Sequence, residues 1–147
     1  MKVLTIKNIQ SYLHSNTRNK LLFYRGKIYD VEYLNVGIEL SKLIRPFLNK
    51  RHFSLKAMNI LDKLLQSYII KHSDLGNVLA LSNMGILFEE ELQIDFFALL
   101  DRYSKNSGLI LDWQGEIEDG KLYFLEKKNG IQIDIKDLSH LVLIDEE

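Results

Sequence analysis

The chain has 147 residues, 46% of them hydrophobic, which suits one domain (1–147) with a sizeable core. It has no cysteine, so disulfides, thiol nucleophiles and thiolate zinc sites are excluded and a reducing, cytosolic setting fits. Net charge is only −1, yet residues 1–75 hold 13 Lys/Arg against 5 Asp/Glu and residues 76–147 hold 6 against 15; this asymmetry fits an electrostatic partner, or neutralisation between the halves of one domain or of neighbouring copies.

Met1 to Lys7 lacks the apolar core of a signal peptide, and no stretch approaches the roughly 18 apolar residues of a membrane span, so a cytoplasmic protein without a membrane partner is expected. From Thr5 to Ser15, Ile6, Ile9, Tyr12 and Leu13 recur at helical spacing. Leu21 to Tyr24 and Val31 to Val36 read as strands. The connection between them is shorter than the dozen residues of a usual parallel crossover, so they are expected to be antiparallel neighbours or not adjacent.

Gly37 to Leu48 reads as a helix with Ile38, Leu40, Leu43, Ile44 and Phe47 available for burial and Pro46 against its last turns. A second helix starts near Ser54, a candidate N-cap, and Met58, Leu61, Leu65, Tyr68 and Ile69 continue its apolar face. Asn77 to Leu81 is a buried strand, a helix from about Glu91 to Ser104 follows, and Leu109 to Leu111 is again wholly apolar, which together make a parallel strand-helix-strand unit. Beyond Trp113, Asp119-Gly120 and Asn129-Gly130 are two hairpin turns among alternating strands. An antiparallel meander is expected there, with Leu141 to Ile144 as one more strand. The fold class is α/β, with a central βαβ unit and a C-terminal antiparallel meander.

The residues that would hold a phosphate are missing from this frame. No GxxxxGK[ST] occurs, and Arg25-Gly26-Lys27 lacks the upstream glycine and the following Ser/Thr that let backbone amides and a lysine embrace phosphates. The central strand ends in Ser82-Asn83 where an acid would organise Mg²⁺. Lys27, Ser82 and Asn83 are therefore at most the remnant of a nucleotide site, and neither an ATPase activity nor a cofactor is expected.

Two other chemistries have candidates. Asp112 after one strand and Glu126-Lys127-Lys128 after another match the outline of a Mg²⁺-dependent nuclease, with Asp112, Glu126 and Lys128 as its residues. The alternative is solvated meander charge. Lys50, Arg51, Lys56 and Lys63 form the densest basic patch, a candidate for DNA phosphates against the alternative of a solvated helix surface. Trp113 and the tyrosines are candidates for base stacking or for the core. The four histidines show no paired spacing of a zinc site.

Tyr33-Leu34-Asn35-Val36-Gly37-Ile38-Glu39-Leu40-Ser41, Val78 through Phe88, Leu99 through Asn106, Asp112-Trp113-Gln114-Gly115-Glu116 and Gly120-Lys121-Leu122-Tyr123 together resemble the BrxF family. These are small P-loop proteins of BREX, a bacteriophage-exclusion system, and the likeness runs from about Lys20 to Ile144. The departures fall at the ATP site: Arg25 to Asp30 replaces the phosphate loop with its helix, and Ser82 replaces the acid. The resemblance implies a degenerate P-loop-like domain serving as a non-catalytic accessory or scaffold subunit of a bacterial anti-phage system, among other defence proteins; the charged halves add DNA as a candidate partner and pairing of copies through the unlike halves as an expectation.

Overall fold

The apolar runs Leu21–Phe23, Val78–Leu81 and Leu109–Leu111 are buried along their whole length, the pattern of central strands in a parallel sheet covered on both faces. The computed structural model describes residues 6–28, 30–125 and 130–143. Along them run α1 (Ile6–Leu13), β1 (Leu21–Tyr24), β2 (Tyr33–Asn35), α2 (Val36–Ile44), α3 (Phe53–Ser67), β3 (Ile70–His72), β4 (Gly76–Ser82), α4 (Phe96–Lys105), β5 (Gly108–Asp112), β6 (Ile117–Glu118), β7 (Lys121–Phe124), β8 (Ile131–Asp134) and β9 (His140–Leu143). Short 3-10 turns stand at Arg45–Phe47, Gly85–Phe88 and Glu90–Leu92.

The main sheet has the order β2-β4-β5-β1-β9 with every neighbouring pair parallel, and β3 runs antiparallel along the first half of β4. The expected βαβ unit is β4-α4-β5. The expected meander is the separate antiparallel sheet β6-β7-β8, turning at Asp119-Gly120 with φ +53 and +73. Asn129 of the second turn lies outside the described residues. The last strand, β9, leaves the meander and joins the edge of the main sheet beside β1, register Leu22 to Leu141.

β1 and β2 are not adjacent: β5 and β4 lie between them. Three lateral steps of about 4.8 Å make roughly 14 Å, and the eight residues 25–32 reach further than that even when far from extended. Tyr33 at the start of β2 is level with Ala80 and, through β4 and β5, with Ile110 and Leu22 of the neighbouring strands. The chain therefore drops back only two residues while crossing the sheet diagonally, and needs no helix.

One face of the sheet buries Leu21, Phe23, Leu34, Leu79, Leu81, Leu109 and Leu111 under α2, α3, α4 and the small sheet. The other buries Leu22, Val78, Ala80 and Ile110 under α1 and the crossing segment, through Ile9, Leu13, Ile28 and Val31. Among the described residues no helix stands where a phosphate-loop protein places the one that follows its first strand.

Helix limits differ from the sequence reading for identifiable reasons. Asn35 caps α2 by accepting the Ile38 amide at 3.0 Å, and Pro46, which has no amide hydrogen, ends that helix in a 3-10 turn. α3 starts at Phe53 after His52 in the left-handed region (φ 59), so Ser54 lies in its first turn and is not the cap. α4 starts only at Phe96, capped by Asp95 accepting from the Ala98 amide at 3.0 Å; Glu89, Glu90 and Glu91 sit upstream in and beside a 3-10 turn. On α2 only Val36, Leu40 and Ile44 are buried, and Ile38 and Leu43 stay 50% and 46% exposed.

Candidate functional site

In an open parallel sheet the natural ligand crevice lies at the carboxyl ends of neighbouring strands whose connections leave over opposite faces. Here that place is the seam between β1 and β5. The connection from β1 crosses one face, whereas the chain leaving β5 runs through Trp113 and the small sheet, which pack on the other. At the seam Tyr24 pairs with Asp112.

The seam is closed by the chain itself. The Gly26 amide donates to Asp112 Oδ1 at 2.8 Å, and the Gln114 side-chain amide donates to the same oxygen. Arg25 reaches the Gly115 carbonyl at 3.5 Å. Lys27 extends outward, its ammonium 6.0 Å from the centre of the Tyr33 ring. Tyr33 receives the Ile28 amide on its hydroxyl at 3.0 Å; burial pushes its phenol up to about 12, with the Asp112 charge adding to the rise. The Gly26 amide, two residues past the end of β1 and the type of group that holds phosphate in a P-loop, is engaged by an internal carboxylate.

Ser82 and Asn83 serve the neighbouring strand end. Ser82 is 5% exposed and its hydroxyl points to the Leu34 carbonyl of β2 at 3.4 Å. Asn83, at φ +52, donates to Asn35 Oδ1 at 2.9 Å and accepts the Gly37 amide on its own carbonyl at 2.9 Å. The two tie β4 to the start of α2. Lys27 instead rests over Tyr33, so the three remnant residues hold separate parts of the C-terminal rim.

Of the nuclease candidates, Asp112 carries the bonds just described, and Glu126 and Lys128 lie outside the described residues. Trp113 is 3% exposed and packs among Phe23, Phe88, Phe96 and Phe124, with centroid separations of 6.1–6.5 Å, so its place is in the core and not on a stacking platform. Lys50, Arg51, Lys56 and Lys63 are all exposed and make no ion pair among the described residues. Lys56 and Lys63, seven residues apart on α3, share one helix face, with Lys50 and Arg51 at its N-terminal end. Lys56 lies 5.5 Å from the Phe47 ring centre.

Several bases of the first half stay exposed, among them Lys50, Arg51, Lys56 and Lys63. Arg18 of the first half pairs with Asp101 of the second at 3.8 Å. Arg102 with Asp62 runs the other way, and Lys42 with Glu39 and Lys105 with Asp101 are local. Acids such as Glu89, Glu90 and Glu91 are likewise exposed, so charges of both signs face outward.

A cleft of about 1020 Å³, which the sequence reading missed, lies beside α2, lined by Ile38, Arg45, Leu48, Asn83, Ile86 and Glu89 among others. The signal was the wide angular spread of apolar residues on α2. At 100° per residue Ile38 points about 160° away from Leu40, so both cannot face one core.

Compared with known proteins, the chain matches no family model, no curated protein and no solved structure.

Proposed function

We propose that the protein is a non-catalytic accessory or scaffold subunit of a bacterial anti-phage defence assembly of the BREX kind. The observation that carries this reading is the Gly26 to Asp112 hydrogen bond, which fills the sheet's ligand position from within. Two further features support it. Numbered in chain order, the five parallel strands lie as fifth, first, fourth, third, second, an order that phosphate-loop nucleotide hydrolases use. The resemblance to BrxF over Asn77 to Tyr123 gives that framework a defence context. The framework is kept and the phosphate limb is gone, so function belongs on the surface.

Protein partners are contacted through the outward-facing charges, and DNA through Lys50, Arg51, Lys56 and Lys63. The alternative, a small Mg²⁺-dependent nuclease on Asp112, Glu126 and Lys128, gains nothing from Asp112, whose Oδ1 already receives two donors. The test is genetic: removing the gene from a bacterium that carries the defence assembly should raise phage plating to the undefended level. Protection that survives the removal overturns the reading.

A further inference from the structure

The cleft beside α2 has an apolar floor and two rims of opposite sign. Ile38 and Leu48 are half exposed in it, at 50% and 51%, and Phe53, Ile86 and Leu92 lie deeper. Such paired exposure of large aliphatic side chains in one concavity marks a surface that another molecule covers. One rim carries Lys42 and Arg45, from α2 and the turn after it; the other carries Glu89 and Glu91, from the segment after β4. Among the described residues Arg45, Glu89 and Glu91 form no ion pair, and Lys42 reaches only its neighbour Glu39 at 3.5 Å.

We infer that this cleft is the contact between two copies of the chain in an isologous dimer. A patch with a positive rim, an apolar floor and a negative rim is its own complement. A two-fold axis laid along the cleft brings Lys42 and Arg45 of each copy against Glu89 and Glu91 of the other, and closes the two apolar floors together. A partner of uniform charge would satisfy one rim and be repelled by the other. The inference stands apart from the defence reading, since it uses no residue of the nucleotide seam.

Sedimentation equilibrium of the full chain tests it with two charge-reversed variants. One carries Lys42→Glu and Arg45→Glu, so both rims are negative; the other carries Glu89→Lys and Glu91→Lys, so both are positive. All four positions are exposed, and circular dichroism checks that each variant folds. The wild-type chain should be dimeric at tens of micromolar, since a small interface of this kind is roughly micromolar in affinity. Each variant alone should dimerise at least about tenfold more weakly, and an equimolar mixture should restore a one-to-one dimer. Raised salt should weaken the wild-type dimer, because the rims are solvent-exposed. A wild-type chain that stays monomeric, variants that dimerise as tightly as wild type, or a mixture that fails to pair overturns the inference.

Discussion

Asp112 at the end of β5 and Gly26 just past the end of β1 are joined by a hydrogen bond of 2.8 Å from the Gly26 amide to Oδ1. The carboxylate stands where an anionic ligand would meet the strand ends. It also spans the seam between β1 and β5, so one residue both fills the strand-end crevice and pins the start of the crossing segment.

Asp112→Ala should therefore cost stability without exposing a working site. A charge-assisted hydrogen bond to a backbone amide contributes about 1.5–3 kcal/mol. A drop of that size in urea denaturation is expected, with Asp112→Asn milder because its carbonyl still accepts. Plasmid incubated with Mg²⁺ or Mn²⁺ should stay intact with the wild-type protein, and cleavage that disappears in Asp112→Ala would favour the nuclease instead.

Asp62 clasps α3 to α4. It takes Arg102 through both guanidinium nitrogens at 3.0 Å and the Tyr103 hydroxyl on Oδ1. The exposed arginine pair contributes at most about 1 kcal/mol; the hydrogen bond from buried Tyr103 contributes more, about 1.5–3 kcal/mol. Asp62→Ala should cost more than Arg102→Ala in thermal or chemical unfolding.

Alkaline stability follows from two phenols. Burial, with the Asp62 carboxylate second, pushes Tyr103 up to about 12, and burial likewise carries Tyr33 to about 12. The folded state holds these protons more tightly than the unfolded one, where tyrosine ionises near 10. Their stabilisation is complete below pH 10 and is lost as pH rises toward 12. Tyr103→Phe should flatten the fall in stability over that window, read by tyrosinate absorbance together with unfolding curves.

Acid acts through a different residue. The Asn19 side chain, then Lys105, holds Asp101 below the ordinary carboxylate value, with Asn19 Nδ2 at 3.1 Å and Lys105 at 3.0 Å. A depressed carboxylate contributes stability above about pH 4 that is lost as pH falls through its lowered native value. Asp101→Asn should remove that part of the acid limb.

Gly115 leaves no room for any side chain. A Cβ there would lie 1.8 Å from the Tyr123 carbonyl oxygen, a backbone atom of β7. Gly115→Ala should cost about 3 kcal/mol or more by overpacking and loosen the small sheet from the main one. Gly37→Ala meets the Asn83 side-chain amide at 2.5 Å and its carbonyl at 3.2 Å. Only the amide can swing away, so the effect should be smaller.

Much of this fold could be read in the chain because its central strands are apolar without interruption and its helices repeat cleanly. Val78 to Leu81, Leu109 to Leu111 and the buried Phe96, Leu99, Leu100 and Tyr103 all lie where their patterns place them. The route from β1 to β2 was not legible. A minimum crossover length holds for strands that start level, whereas β2 begins only two residues behind the end of β1 and is crossed to on a diagonal. The partner of Asp112 was hidden for another reason: Gly26 is 86 residues away, and only the sheet order brings them together. Ile38 and Leu43 stay exposed where burial was expected, because hydrophobicity alone cannot separate a core face from a solvent-facing one.

The most direct measurement of the central claim is calorimetric titration of the full chain with ATP and Mg²⁺, run on wild type beside a protein that binds the nucleotide. With the Gly26 amide held by Asp112 and Ser82 turned to Leu34, no binding heat is expected up to millimolar nucleotide. A saturable isotherm with a Kd below about 1 mM, some 4 kcal/mol of binding free energy, would contradict it and return the seam to service as a nucleotide site.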